Sequence, residues 1–234
     1  MKKDYKIRAP YFEIGPKCFM WGGRMLKLAR AIDRVAAKYD LDVIVTPQYT
    51  DIRLLAENTE YIHVYAQHMD PLYPGRGLGS VLPEAVKEAG AVGVMLNHAE
   101  KKLTPEVLRQ TIARADEVGL ATIVCADTVE EIRQVALMSP NLIVAEPTDL
   151  IGTGVASDMG YVRDTIEAVR EIDPDIMVLQ GAGISTPEDV ARVIRAGALA
   201  TGCTSGVMKA SDPEAAAEEM LWTLRRVWDE VHGA

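Results

Sequence analysis

Lys17, His98 and Glu146 each stand just past a short apolar run of the chain. A cation, an imidazole and a carboxylate converging on one rim suit acid–base chemistry on a bound anion. Gly181-Ala182-Gly183 and Thr204-Ser205-Gly206 follow the last two runs, and small-residue loops in that place suit a phosphate. Each feature alone has a plainer use. A histidine after a strand is often structural, a glutamate before a proline is an ordinary loop residue, a lysine at a loop start is usually solvated, and glycines serve tight turns. Their joint placement carries the chemical reading.

The elements that must position them alternate in texture. Short aliphatic or β-branched runs lie at residues 7–14, 42–46, 61–66, 92–97, 121–125, 142–145, 176–180 and 199–204. Most are continuously apolar, as strands buried on both faces require. The stretches between them have helical spacing. In the first, Met25, Leu28, Ala29, Ile32, Val35 and Ala36 recur at i, i+3, i+4 and i+7, while Lys27, Arg30 and Arg34 fall mostly on the other side. Thr104-Pro105-Glu106, Thr186-Pro187-Glu188 and Asp212-Pro213-Glu214 each place a capping side chain, a proline and a carboxylate where a helix begins. Thr128 with Glu131 fits a capping box. Eight strand-then-helix units predict an α/β protein, a single (β/α)8 barrel over residues 1–234. The rival open sheet carries a glycine fingerprint after its first strand, and GPKCFMWGG (15–23) does not spell one.

Composition narrows the function classes. The 234 residues carry a formal net charge of −9, which argues against nucleic acid as a partner. No apolar stretch approaches the roughly 20 residues of a membrane span. MKKDYK (1–6) lacks an apolar segment behind it, so no secretory signal is expected. Cys18, Cys125 and Cys203 are widely spaced and odd in number, which suits a reducing cytoplasm better than a disulfide framework. No metal-ligand cluster or nucleotide fingerprint stands out, and the chemistry above needs neither metal nor cofactor.

The segments VTPQYTD (45–51), YAQHMDP (65–71), LPEAVKEAGAVGVMLNHAE (82–100), ADEVGLATIVCAD (115–127), AEPTDLIGTG (145–154), QGAGISTPEDV (180–190) and TSGVMKASDP (204–213) run in order along the chain. By them the chain resembles the triosephosphate isomerase family, in its short archaeal-type branch. The resemblance implies a TIM barrel that interconverts glyceraldehyde 3-phosphate and dihydroxyacetone phosphate through an enediolate. It makes Glu146 the general base, His98 the neutral imidazole and Lys17 the cation. It makes Ile151, Gly152, Gly183, Thr204 and Ser205 the phosphate holders, and residues 147–154 the closing lid. It also implies a small phosphorylated sugar as substrate and a homo-oligomer, dimer or tetramer. The loop with Gly75, Gly77 and Gly79 would then serve subunit contact, and His63, His68 and His232 would serve packing, subunit contact or the tail rather than catalysis.

The chain departs from the family pattern at four places. Gly15-Pro16-Lys17 replaces Asn-x-Lys, and His98-Ala99-Glu100 replaces His-Ser-Glu. Gln180 stands at the mouth of the seventh strand, where it is expected to read an extra substrate hydroxyl. CFMWGG (18–23) is apolar for a rim loop and is expected to form a subunit contact more than a pocket wall. Two alternatives therefore stay open: an isomerase of a four- or five-carbon sugar phosphate with the same mechanism, and a non-catalytic phosphate-binding regulatory barrel.

Overall fold

Eight parallel strands close into a barrel in the order of the chain, each hydrogen-bonded to the next and β8 returning to β1. The computed structural model describes residues 7–154 and 157–233. The MKKDYK segment read above lies outside them.

The elements run β1 (Tyr11–Ile14), α1 (Gly22–Tyr39), β2 (Asp42–Val45), α2 (Ile52–Ala56), β3 (Ile62–Ala66), α3 (Pro83–Glu88), β4 (Gly93–Leu96), α4 (Pro105–Val118) and β5 (Ala121–Ala126). They continue with α5 (Val129–Ala136), β6 (Leu142–Ala145), α6 (Met159–Arg170), β7 (Met177–Gln180), α7 (Pro187–Arg195), β8 (Ala200–Cys203), α8 (Ser205–Met208) and α9 (Pro213–His232). All eight expected strands are present, and the first is shorter than the apolar run that announced it.

The strands bury both faces, and the two faces pack differently. Tyr11, Ile44, Tyr65, Ile123, Leu142, Val144 and Leu179 fill the barrel interior. Phe12, Val43, Val45, Val94, Ile143 and Val178 pack outward against the helices. A Cβ on Gly93 would stand 2.5 Å from the Tyr65 ring, so glycine in β4 lets that ring lie across the interior. The α1 residues expected to be buried are buried, and Lys27, Arg30 and Arg34 are exposed.

Helix starts follow the sequence signals closely. Thr104, Thr186 and Asp212 cap α4, α7 and α9, each with proline in the first turn. The expected Thr128–Glu131 box forms in one direction only. The Thr128 hydroxyl accepts from the Glu131 N–H, but the Glu131 carboxylate accepts from the Asp127 N–H instead of from Thr128. It also takes Lys102 Nζ at 2.9 Å, so Glu131 ties the loops after β4 and β5 together and is not spent on the cap.

Candidate functional site

The loops after the strands meet over one cavity of about 410 Å³ at the C-terminal end of the barrel. Lys17, His98, Glu146, Ile151, Gly152, Gly183, Thr204 and Ser205 all line it. These are the residues that the sequence selects, with one exception. A shallower groove between α6, α7 and α9 holds Arg163, Arg192, Arg195 and Arg226 but none of this constellation.

Strand parity decides which side chains enter. Val144 and Leu179 pair across β6 and β7 and both face the interior. Glu146, two residues beyond Val144, therefore points into the cavity. Ala145 and Gln180 pair on the opposite face. Gln180 is fully buried there and donates from Nε2 to Thr165 Oγ1 of α6 at 3.0 Å. The expectation that Gln180 reads a substrate hydroxyl is thus corrected: its amide joins β7 to the helix layer and does not line the cavity.

His98 and Glu146 face one another, with Nε2 and Oε2 3.6 Å apart. Asn97 turns the chain just before His98 through a left-handed conformation, φ 59°. Its amide donates to the Cys125 carbonyl and its oxygen accepts from the Leu103 N–H. Asn97 therefore holds the loop, and His98 is the residue delivered to the cavity. His98 Nδ1 accepts a hydrogen bond from the Glu100 N–H at 3.1 Å, which leaves the proton of the neutral ring on Nε2, facing Glu146. Burial, and then the nearby Lys17 cation, push the imidazole down to about 4. Burial also raises the Glu146 carboxyl, opposed by Lys17 and by the Ala182 N–H that donates to it. The ring is a neutral donor, and the carboxylate is a base made stronger by desolvation.

Lys17 is clamped at both ends. Its ammonium pairs with Glu100 at 2.8 Å. Its backbone adopts φ 46°, and its carbonyl accepts from Gln48 Nε2 at 2.7 Å and from Gln67 Nε2 at 3.1 Å. Gln67 also donates to the Thr46 carbonyl, so the loops after β1, β2 and β3 are joined beneath the cation. Neither glutamine is legible as a site residue in sequence, because the clamp exists only once three strands stand side by side.

The remaining histidines each lie against another side chain. His68 lies buried beside Asp70, with Nε2 3.3 Å from its carboxylate, and touches the cavity wall. His63 lies 3.8 Å from Asp42, and His232 stacks on Trp228. The segment after β1 divides its duties: Cys18 and Phe19 line the cavity, Met20 joins the core, and Trp21 is 65% exposed. Pocket wall and exposed surface are thus both present in the stretch expected to serve mainly subunit contact.

The family can now be stated. Residues 17–219 match the family model described as triosephosphate isomerase. The chain is 39% identical over 203 residues to the triosephosphate isomerase of Methanothermus fervidus, covering 86% of this chain and 91% of the relative. It is 37% identical to that of Sulfurisphaera tokodaii over 92% of this chain and 95% of the relative. This chain belongs to the triosephosphate isomerase family. A crystal structure of triosephosphate isomerase from Bartonella henselae shares its fold, with a TM-score of 0.76 at 18% identity over 94% of this chain and all of that one. The family-model match begins at Lys17 and takes in His98, Glu146 and the loops after β7 and β8.

Proposed function

We propose that this chain interconverts glyceraldehyde 3-phosphate and dihydroxyacetone phosphate, with Glu146 as base, His98 as electrophile and Lys17 as the stabilising cation. The observation that carries the assignment is the Glu146–His98 pair, a partly buried carboxylate 3.6 Å from the imidazole, in a chain whose relatives are named triosephosphate isomerase. Glu146 takes a proton from the carbon beside the carbonyl and returns it to the neighbouring carbon. His98 Nε2–H donates to the oxygen that becomes negative, and Lys17 meets the charge of the enediolate. Among the described residues, no group of three or more His, Cys, Asp or Glu could hold a metal, and each step uses side chains of this chain alone.

The backbone around Ile151, Gly152, Gly183, Thr204 and Ser205 would hold the phosphate. Residues 147–154 would close over it: the stretch starts at Pro147, carries Gly152 and Gly154 at φ 75°, and has its tip exposed. Closure would expel water and protect the phosphorylated intermediate from elimination. Purified protein should convert glyceraldehyde 3-phosphate with kcat/KM of about 10⁷ M⁻¹s⁻¹ or above, since triosephosphate isomerases are among the enzymes known to work near the diffusional ceiling. Phosphate-dependent thermal stabilisation without turnover would instead mean a regulatory barrel.

We also read the enzyme as a cytoplasmic homo-oligomer. Among the described residues no helix is long and apolar enough to cross a membrane, and the three cysteines are free thiols. Tyr73 and Leu78 stand exposed on the loop after β3 and Trp21 on the loop after β1, and large apolar side chains in such positions suit a protein contact. Light scattering should report a dimer or tetramer; a lone 25.6 kDa species would remove the assembly.

A further inference from the structure

One wall of the cavity has no part in the proton transfer. It is built from Glu13, Gly15, Thr46 and Thr204. β1 sends Tyr11 and Glu13 to the inside of the barrel, so a carboxyl stands beside an interior cluster of Ile, Val, Leu, Tyr, Ala and Cys. Barrel interiors are normally filled by branched apolar residues, and burying a carboxyl among them is unfavourable. β8 makes room for it: a Cβ on Gly202 would stand 2.9 Å from the Glu13 Cβ. Glu13 is 8% exposed, and that remnant opens on the cavity.

Gly15 continues the same inward row. Its backbone is not left-handed, so no turn demands a glycine there. What glycine avoids there is crowding. A Cβ at Gly15 would stand 3.0 Å from Glu13 Oε1, 3.3 Å from Thr204 Oγ1 and 3.4 Å from Thr46 Oγ1. Glycine therefore leaves three oxygens, one in β1 and one just past each of β2 and β8, uncovered on the cavity wall. Thr46 Oγ1 donates to Glu13 Oε1 at 2.9 Å, which fixes the carboxyl in place.

The chemistry of the niche selects its occupant. Burial pushes Glu13 up to about 8, with Glu146 adding to the rise and Thr46 and Lys17 opposing it. Near neutral pH the group is a carboxylic acid, able to donate as well as accept. Together with two hydroxyls it offers donors and acceptors without net charge, which matches an alcohol and not a second phosphate. With no side chain at Gly15 to cover them, these groups face the cavity, where a hydroxylated carbon of a bound sugar can pair with them.

We infer that the niche of Glu13, Thr46 and Thr204 at Gly15 binds a hydroxyl on one carbon beyond the three-carbon frame, so that the site also isomerises a four-carbon sugar phosphate. The reaction balances as before: Glu146 removes a proton from the carbon beside the carbonyl and returns it to its neighbour, with no oxidant or co-reactant. The inference rests on the isomerase reading above and adds a substrate class to it.

The test compares kcat/KM for glyceraldehyde 3-phosphate, erythrose 4-phosphate, erythrulose 4-phosphate and erythrulose 1-phosphate, using wild type, Glu13→Leu and Gly15→Asn. Wild type should turn over at least one four-carbon phosphate with kcat/KM within tenfold of the triose value or above it. In both variants the four-carbon to three-carbon ratio should fall at least tenfold, because a site built to pair a hydroxyl loses selectivity when a partner is removed or covered. Wild-type turnover of the triose alone, or a ratio unmoved in both variants, overturns the niche and leaves the isomerase reading standing. No turnover of any of the four sugars overturns both. The wild-type comparison needs no variant to fold.

Discussion

Glu146→Asp should lower kcat by about two orders of magnitude or more, because a base shortened by one carbon no longer reaches the near-attack distance. Glu146→Gln should cost more, since the amide cannot accept the proton at all. Steady-state kinetics on glyceraldehyde 3-phosphate checks both, and near-wild-type turnover in the aspartate variant removes Glu146 from the role. The pH dependence should carry a second signature of the same group. The base works as a carboxylate, and burial raises its pKa, so kcat/KM of the free enzyme should fall at acid pH on a limb above the ordinary glutamate range. His98 should contribute no limb near the usual imidazole value, because burial and Lys17 hold it at about 4. Lys17→Met should move the Glu146 limb to higher pH, since Lys17 lowers the Glu146 pKa. A limb that stays in place in that variant would mean that the two charges do not meet across the cavity.

Most of the barrel is legible because its signals are local. A proline after Thr104, Thr186 or Asp212 fixes a helix start within one turn, and an unbroken apolar run such as 142–145 has few other places to go. Lys17, His98 and Glu146 are legible for a related reason: they lie just beyond such runs. Gln180 misleads because it belongs to the last position of β7, whose side chain faces the helices. Counting alternate residues back from Gly181 through Leu179 would have placed it outward, since a step of one residue moves a side chain to the other face. Glu13 escapes for the opposite reason. It stands inside β1, and attention to residues past the strand ends passes over it. Its signal was present as a single carboxylate in Tyr11-Phe12-Glu13-Ile14, a run buried at every position. Gln48 and Gln67 left no signal, because their common partner, the Lys17 carbonyl, comes from a third strand.

Glu13 should also make the barrel lose stability as pH rises, and the sign follows from its direction of shift. Burial pushes its carboxyl up to about 8 in the folded chain against an ordinary 4.5, so between those values the folded state binds more protons than the unfolded one. The Glu13 contribution is then fully present below about pH 4.5, is lost as pH rises toward 8, and changes little above it. The full loss across that window is on the order of 5 kcal/mol, a large share of a domain's typical margin. The neighbours do not blur the reading. Cys203 is held at about 12 and Cys125 well above its ordinary range by burial, so both stay neutral over the window. Glu146 and Lys17, the charged groups that act on Glu13, are common to wild type and to a Glu13→Gln variant. Urea denaturation of the two proteins at pH 5 and pH 8 isolates the term. The variant should gain on wild type by several kcal/mol between the two pH values, and parallel profiles would show that Glu13 titrates as an ordinary carboxylate. A substrate that hydrogen-bonds the neutral acid would bind best while it stays protonated. The alkaline fall in four-carbon kcat/KM should therefore set in near pH 8 in wild type and be absent in Glu13→Gln, which ties the stability term and the selectivity of the niche to one proton.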